Sequence, residues 1–194
     1  QDDEGLAMAR DLVLAPDAEV GTQLEYGLLL AGAGREEEAR AVLTPYATGE
    51  TVIPGAVRAL GALDLDRGDL DAATRRFEDL LSTGAQSFDA LYFLGLIADR
   101  RKDPDLALRY YSRVTGGDFA LQAQGRVARI RAEQSGIDAG LAHLDDFARG
   151  QRQRGPDVVA ARAGLASGLG DMNRALEILD AGIAQYPDVF DRRM

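Results

Sequence analysis

The chain of 194 residues is 46% apolar, carries a formal net charge of −10 and contains no cysteine. The lack of cysteine excludes disulfides, thiol catalysis and metal sites with cysteine ligands. Such an acidic chain would repel a phosphate backbone, and it has no apolar run of about 18 residues, so the sequence predicts neither nucleic-acid binding nor a transmembrane helix.

The first predicted element is a helix over residues 2–15, in which Ala9, Leu12 and Val13 supply apolar side chains. No partner helix precedes it, and the chain begins at Gln1 rather than at Met. We interpret 2–15 as the second helix of a preceding hairpin. We therefore expect the chain to be a segment of a longer protein.

From Val20 onward one pattern of residues recurs with a step of about 34 residues. A small residue stands at the eighth position (Gly27, Gly61, Gly95, Ala128, Ala163) and another at the twentieth (Ala39, Ala73, Ala107, Gly140, Ala175), and a bulky apolar one stands at the twenty-fourth (Leu43, Phe77, Tyr111, Leu144, Leu179). Small residues let two helices cross closely, and a bulky residue one turn further on fills the gap. The pattern predicts five helical hairpins, at 20–53, 54–87, 88–120, 121–155 and 156–187.

Turn and cap residues divide each predicted hairpin into two helices. Asp69, Asp103 and Asp171 are predicted N-caps of second helices, with Pro104 at a first helical position. Glycines stand where a residue in the left-handed conformation would end a first helix: Gly34, Gly68, Gly136 and Gly170.

Two places depart from the regular pattern. Pro45 lies inside the second helix of repeat one and is expected to stop or kink it near Thr44. At the other end, 188–194 begin a further repeat that is not completed, so the last full helix is left without a cover. We expect its apolar residues to pair with another copy or with further repeats: Ile178, Leu179, Ile183 and Tyr186.

The 34-residue period, with a small residue in the first helix, glycine near the turn, and alanine followed by an aromatic residue in the second helix, resembles the tetratricopeptide repeat. The resemblance implies an all-α fold, a right-handed α-solenoid of tetratricopeptide-type helix hairpins that forms a single array over 1–194. It also implies a scaffold without enzymatic activity or cofactor, whose partner is a protein or an extended peptide.

In tetratricopeptide arrays the first helices line the concave face, and the resemblance assigns the candidate binding residues to it. Tyr92, Leu96 and Arg100 are the predicted anchors, because aromatic residues and arginine dominate binding hot spots. For Leu96, packing between helices explains the residue at least as well. The candidate site comprises Arg58, Tyr92, Leu96, Asp99, Arg100, Arg129 and Glu133.

Neither catalysis nor the known carboxylate clamp is predicted. Array variants that grip a C-terminal carboxylate use lysine and asparagine in this groove, whereas Lys102 lies in a turn and Asn173 lies outside the groove. His143, the only histidine, has no cysteine or other catalytic group to join it, so we interpret it as a packing or surface residue. No catalytic, metal-binding or cofactor-binding residue is therefore assigned.

One stretch supports a narrower resemblance. The segments 91–98, 107–114 and 117–120 resemble repeats in large proteobacterial tetratricopeptide proteins of the cell envelope, some of which are outer-membrane lipoproteins that act as adaptors of carboxy-terminal processing proteases. This resemblance favours a periplasmic or outer-membrane-anchored location over the cytoplasm. The alternative is a substrate-recruiting arm of an enzyme whose catalytic domain lies outside this segment, and the flanking sequence would distinguish the two.

Overall fold

The computed structural model describes residues 10, 13, 19–48, 52–84, 87–150 and 154–187. Within these ranges the regular secondary structure is helical throughout. The predicted leading helix at 2–15 lies outside the described residues except for Arg10 and Val13, which are helical, and 188–194 also lie outside them. The described helices are α1 (Val20–Gly32), α2 (Glu36–Thr48), α3 (Pro54–Arg67), α4 (Leu70–Ser82), α5 (Ser87–Arg100), α6 (Pro104–Tyr111), α7 (Ala120–Ser135), α8 (Ile137–Gly150), α9 (Gly155–Gly168) and α10 (Met172–Gln185).

The helices alternate between first and second members of hairpins. The first helices α1, α3, α5, α7 and α9 begin at the predicted repeat starts or one residue before them. Within the hairpins α1 packs on α2, α3 on α4, α7 on α8, and α9 on α10. The predicted all-α class, built of consecutive helix hairpins, is confirmed.

The chain forms two compact units, 1–97 and 98–194, and the boundary between them falls within α5. The core of the first unit includes Leu30, Leu43 and Leu60, all fully buried. The core of the second unit is centred on Leu144 and Ala166, which are also fully buried. Each unit therefore buries an apolar core of its own.

The repeating small and bulky residues meet as the sequence pattern predicts. A Cβ atom added at Gly27 would lie 2.6 Å from Leu43 Cδ2, and one added at Gly61 would lie 2.7 Å from Phe77 Cζ. The bulky side chain at the twenty-fourth position thus occupies the space that glycine leaves at the eighth. Gly95, at the same position of the third repeat, is also buried.

The fourth repeat reverses this arrangement of small residues. It carries alanine at the eighth position, Ala128, and glycine at the twentieth, Gly140. A Cβ atom on Gly140 would overlap the backbone oxygen of Ala128 and would lie 2.9 Å from Leu165 Cδ2. Because a backbone oxygen cannot turn aside as a side chain can, α7 and α8 approach each other too closely for alanine at position 140.

The predicted turn glycines adopt the left-handed conformation. Gly34, Gly68, Gly136 and Gly170 have φ angles between +73° and +91°. In the third repeat the equivalent position, 34 residues from both Gly68 and Gly136, is occupied by Lys102 with φ of +59°. Lys102 therefore adopts a backbone conformation with positive φ, which is strained for any residue that has a Cβ atom.

Replacing Lys102 with glycine is expected to stabilise the protein by about 0.5–1 kcal/mol, because relief of the left-handed strain exceeds the extra entropy of glycine in the unfolded chain. Urea denaturation measures the change. Arg101→Gly is the matched control, since Arg101 does not have a positive φ and should gain nothing. Equal effects of the two substitutions would contradict a strained backbone at Lys102.

The predicted aspartate caps are confirmed. The Asp69 carboxylate accepts a hydrogen bond from the Ala72 backbone N–H at 3.0 Å. Asp103 and Asp171 accept equivalent bonds from the N–H groups of the third residues after them, at 2.9 Å and 3.0 Å. Each bond satisfies one of the free N–H groups at the start of a second helix.

Of the predicted stop or kink near Thr44, the stop does not occur, because α2 continues through Pro45 to Thr48. The proline removes only the N–H that would bond the Ala41 carbonyl, and Ala41 is exposed, so water can hydrate that carbonyl. The last turn has other bonds: Thr48 Oγ1 donates to the Thr44 carbonyl at 3.0 Å, and the Ile53 N–H donates to the Tyr46 carbonyl at 2.8 Å.

Candidate functional site

The first unit contains a cavity of about 210 Å³ to which the first helices of three successive hairpins contribute. Ala59 and Ala62 on α3 have short side chains, which leave this space open. We call the cavity the α1–α3–α5 groove. Its described lining residues are Leu28, Ala31, Arg58, Ala59, Ala62, Leu63, Asp66 and Phe93.

Arg58, one of the predicted binding residues, supplies the positive charge in the groove. Its Nε lies 3.7 Å from Asp89 Oδ2, which is an ion pair at a distance too long for a hydrogen bond. This Nε–H is buried and finds no hydrogen-bond acceptor among the described residues. The Arg58 side chain as a whole is 36% exposed, so its guanidinium group can donate a hydrogen bond to an oxygen acceptor that enters the groove.

Phe93 forms the aromatic side of the groove and was missed by the sequence analysis. Its ring stacks on Phe77 with centroids 4.7 Å apart and an interplanar angle of 9°. Phe77 is the bulky residue that fills the gap at Gly61. A residue that packs the helix crossing of the second repeat therefore also supports Phe93 of the third repeat. The sequence shows an aromatic residue at each of positions 77 and 93, but it does not show that the two rings are in contact between successive repeats.

The predicted anchors Tyr92 and Leu96 lie beside Phe93 on α5 and are half-buried. The Tyr92 ring meets Phe93 edge to face at 5.5 Å. Neither residue is among the described lining of the groove, which includes only Arg58 of the seven predicted residues. Their assignment to a binding surface remains a prediction.

The other predicted residues belong to the second unit. Asp99 accepts a hydrogen bond from the hydroxyl of the fully buried Tyr111 at 2.8 Å, so it holds a core residue in place. Arg129 and Glu133 pair with each other at 3.0 Å along α7, and both are exposed. Arg100 is exposed at the end of α5. A partner that binds the Asp99 carboxylate would compete with its hydrogen bond from the Tyr111 hydroxyl.

A buried carboxylate that the sequence analysis did not identify connects three helices of the first unit. Asp64 on α3 is 4% exposed and accepts hydrogen bonds from Arg40 Nη1 on α2 and from Arg76 Nε on α4, each at 2.7 Å. Burial alone would lower the pKa of the Arg40 guanidinium, but its hydrogen bonds to Asp64 and Glu36 outweigh burial and raise the pKa. The carboxylate thus fixes α3 between two second helices.

The second unit has a comparable polar connection at Gln124, which is 4% exposed. Its Nε2 donates to the carbonyl oxygens of Val114 at 2.8 Å and Tyr111 at 3.3 Å, so its Oε1 is left as an acceptor. His143 Nε2 lies 2.7 Å from that oxygen and therefore carries the donated proton. The packing role predicted for His143 accounts for this geometry.

The folded protein is expected to lose stability as the pH falls below 6.5, the ordinary pKa of histidine. Burial and, secondly, the charge of Arg131 lower the pKa of His143 in the native state. Below 6.5 the unfolded chain then binds a proton that the native imidazole does not, which favours unfolding. Above 6.5 histidine is neutral in both states and contributes no slope.

Urea denaturation on both sides of that pH measures the effect, with His143→Asn as the comparison. The variant should lack the slope just below pH 6.5, a range about two pH units above the ordinary pKa values of aspartate and glutamate. A slope of equal size in the variant would assign the effect to another group.

Among the described residues, no group of three or more histidine, cysteine, aspartate or glutamate side chains has an arrangement that could hold a metal ion. In the same part of the chain, no helix combines the length and the apolar character that crossing a membrane requires.

Comparison with solved structures finds tetratricopeptide proteins. YrrB, described as a TPR protein with an unusual peptide-binding site, matches with a TM-score of 0.58 at 19% identity, over 96% of this chain and 98% of that chain. A tetratricopeptide repeat protein from Parabacteroides merdae matches with a TM-score of 0.63 at 18% identity, over 94% and 70%. MamA matches with a TM-score of 0.61 at 17% identity, over 79% and 90%. The chain has the tetratricopeptide-repeat fold.

The predicted fold class, an α-solenoid of tetratricopeptide-type helix hairpins, is thereby confirmed. No protein-family model matches the chain, and no curated protein matches it in sequence. At identities of 17–19% the similarity shows the fold. Similarity at this level does not show which residues bind a partner.

Proposed function

We propose that this protein is a non-catalytic scaffold that binds a protein or an extended peptide, and that the α1–α3–α5 groove is a contact surface. The observation that carries the proposal is the groove itself, which combines an apolar lining with the partly exposed guanidinium group of Arg58. Concave apolar sites with a few convergent polar groups are typical of binding sites.

The size and chemistry of the groove favour one apolar side chain of a peptide together with an oxygen acceptor beside it. A cavity of about 210 Å³ suits a single large side chain, which would contact Leu28, Leu63 and Phe93. A carbonyl or carboxylate oxygen of the same peptide would accept a hydrogen bond from Arg58. Peptide binding is also what the description of YrrB, a protein of similar fold, reports for that protein.

The test uses peptides selected from a random phage-displayed library against the unmodified protein. Arg58→Ala removes the donor and Ala62→Phe fills the groove, and each should weaken binding of the selected peptides by about tenfold or more, as loss of a central contact does. Arg75→Ala on the second helix α4 is the matched control and should bind normally.

Melting temperatures of all three variants show whether they remain folded. Unchanged peptide binding by both groove variants would refute the groove as the site. A separate variant with Tyr92→Ala and Arg100→Ala tests the anchors predicted from the sequence, and one with Arg129→Ala and Glu133→Ala tests the candidates on α7.

A more specific role within this class is that of a cell-envelope adaptor for a carboxy-terminal processing protease. It is supported by the resemblance of 91–98 and 107–114 to envelope tetratricopeptide proteins. A signal peptide with a lipidation site in the complete gene, and co-purification with such a protease, are the expected results. A gene that encodes neither an export signal nor an anchor would refute the envelope location.

Self-association through the last described helix is the second part of the partner proposal. On α10, Met172, Leu176 and Ile183 are about half exposed and follow the helical spacing of one face, whereas Ile178 is buried. Sedimentation equilibrium should show concentration-dependent association that Ile183→Asp weakens. Monomeric behaviour at all concentrations would contradict this contact.

A further inference from the structure

The second unit carries a separate cavity of about 450 Å³ whose described lining residues all belong to α6 or to the turn after it. Leu106, Arg109 and Tyr110 lie on one side of α6, three and four residues apart, and Arg113 lies in the turn after it. We call this surface the α6 face. It belongs to a second helix, whereas the groove proposed above is lined by first helices.

Both arginines of the α6 face are exposed, and neither forms an ion pair among the described residues. This holds although Asp105 stands one helical turn before Arg109. By contrast, Arg129 pairs with Glu133, and Arg149 pairs with Asp146, within their own helices. The α6 face therefore presents two guanidinium groups that form no ion pair with a carboxylate in the described part of the chain.

One of the two arginine positions of the α6 face has the opposite charge in the preceding second helix, α4. Residues 34 apart are equivalent, so Arg75 on α4 corresponds to Arg109, and Asp79 on α4 corresponds to Arg113. α6 is also shorter, with 8 residues against 13 in α4, so Arg113 follows the end of the helix. Cations are favoured near a helix C-terminus, which helps to keep both arginines at this end.

The α6 face is a local exception in a strongly acidic chain. Residues 1–99 contain 19 acidic and 7 basic residues, whereas 100–194 contain 13 acidic and 15 basic ones. An acidic ligand is repelled by the first part of the chain and finds unpaired positive charge at Arg109 and Arg113. Such attraction acts over about 10 Å at moderate salt, so binding there must depend strongly on ionic strength.

We infer that the α6 face is a docking site for an acidic polypeptide segment that carries an aromatic or aliphatic side chain. Arg109 and Arg113 would bind carboxylates, which match the planar guanidinium fork. Tyr110 and Leu106, both half-buried, would contact the apolar side chain. Binding at this face does not depend on the α1–α3–α5 groove.

The test measures fluorescence anisotropy of a labelled random copolymer of glutamate and tyrosine in low and in physiological salt. The unmodified protein should bind it, more tightly in low salt. The double variant Arg109→Ala, Arg113→Ala should bind about tenfold or more weakly, since two charge-assisted contacts are lost. A charge-matched control, Arg75→Ala with Arg131→Ala, removes the same charge from other exposed positions and should bind normally.

Three further measurements distinguish the α6 face from the groove, from charge attraction alone and from loss of folding. Arg58→Ala should retain the salt-dependent copolymer binding that the Arg109→Ala, Arg113→Ala variant loses, so failure of the groove and failure of the α6 face are distinguishable. Labelled polyglutamate without tyrosine should bind more weakly, because it does not use Tyr110 and Leu106. Melting temperatures should be unchanged in the variants of Arg75, Arg109, Arg113 and Arg131, since these side chains are exposed, and the melting temperature of Arg58→Ala shows whether it remains folded.

Three results would overturn the inference. The first is a lack of salt-dependent copolymer binding by the unmodified protein. The second is an equal loss in the charge-matched control, which would show a diffuse field rather than a site. The third is displacement of the copolymer by inorganic phosphate at an equal concentration of charge, which would show a simple anion site.

Discussion

Replacing Asp64 with alanine is expected to lower the free energy of unfolding by about 3 kcal/mol, because two partly buried arginines would lose their shared carboxylate. Arg40 and Arg76 each donate to Asp64 at 2.7 Å, and the aspartate side chain is 6% exposed. Removing the carboxylate takes away the ion partner that Arg40 and Arg76 share at the junction of α2, α3 and α4, although Arg40 keeps its ion pair with Glu36. Urea denaturation at neutral pH measures the loss.

Asp66→Ala is the matched control, since Asp66 lies two residues further along α3 and is exposed. Its effect on stability should stay within about 0.5 kcal/mol. Asp66 also lines the α1–α3–α5 groove. Peptide binding by Asp66→Ala, a variant of normal stability, therefore measures the contribution of Asp66 to the groove. Similar losses in both variants would contradict the central role of Asp64.

Gly140→Ala is expected to destabilise the protein by about 2 kcal/mol, since the added methyl group overlaps backbone that cannot move without shifting a helix. The atom in its way is the carbonyl oxygen of Ala128 on α7, and the Ala132 Cβ atom would be only 3.0 Å away. This loss exceeds the gain that alanine normally brings to the interior of a helix.

The same substitution at Gly164 on α9 should have the opposite sign. Nothing lies within 4 Å of a Cβ atom added there, and the residue is exposed. Gly164→Ala should therefore stabilise by about 0.5–1 kcal/mol through helix propensity alone. Thermal or urea denaturation of the pair isolates the close crossing of α7 and α8, and equal signs would show that this crossing tolerates alanine.

The two proposed binding surfaces use different parts of the hairpins. The groove is built from first helices of the first unit, and Arg58 was foreseen because the resemblance to tetratricopeptide arrays implies that first helices line the concave face. The α6 face comes from a second helix, where the period predicts only capping, packing and solvent-exposed charge. The arginine at 113, in place of the aspartate at 79, was present in the sequence, yet only the structure shows that Arg109 and Arg113 line one cavity together with Leu106 and Tyr110.

The sequence by itself predicted the helix hairpins and their order, because each depends on neighbours within one repeat. The aspartate caps bond N–H groups three residues away, and the turn glycines are needed for a local backbone angle. Gly61 and Phe77 meet because their spacing within the hairpin brings them to the same crossing. Local chemistry repeated with a period of 34 residues was enough to predict these features.

The tertiary structure decided what depends on contacts between repeats or on the distance between particular backbones. Asp64 is one of many acidic residues in the sequence, and only the approach of Arg40 and Arg76 makes it a buried anchor. Helix α2 continues past Pro45 because hydration of one carbonyl and bonds from Thr48 and Ile53 satisfy its last turn. Such outcomes depend on which polar groups remain accessible after packing, and residue spacing along the chain does not specify that.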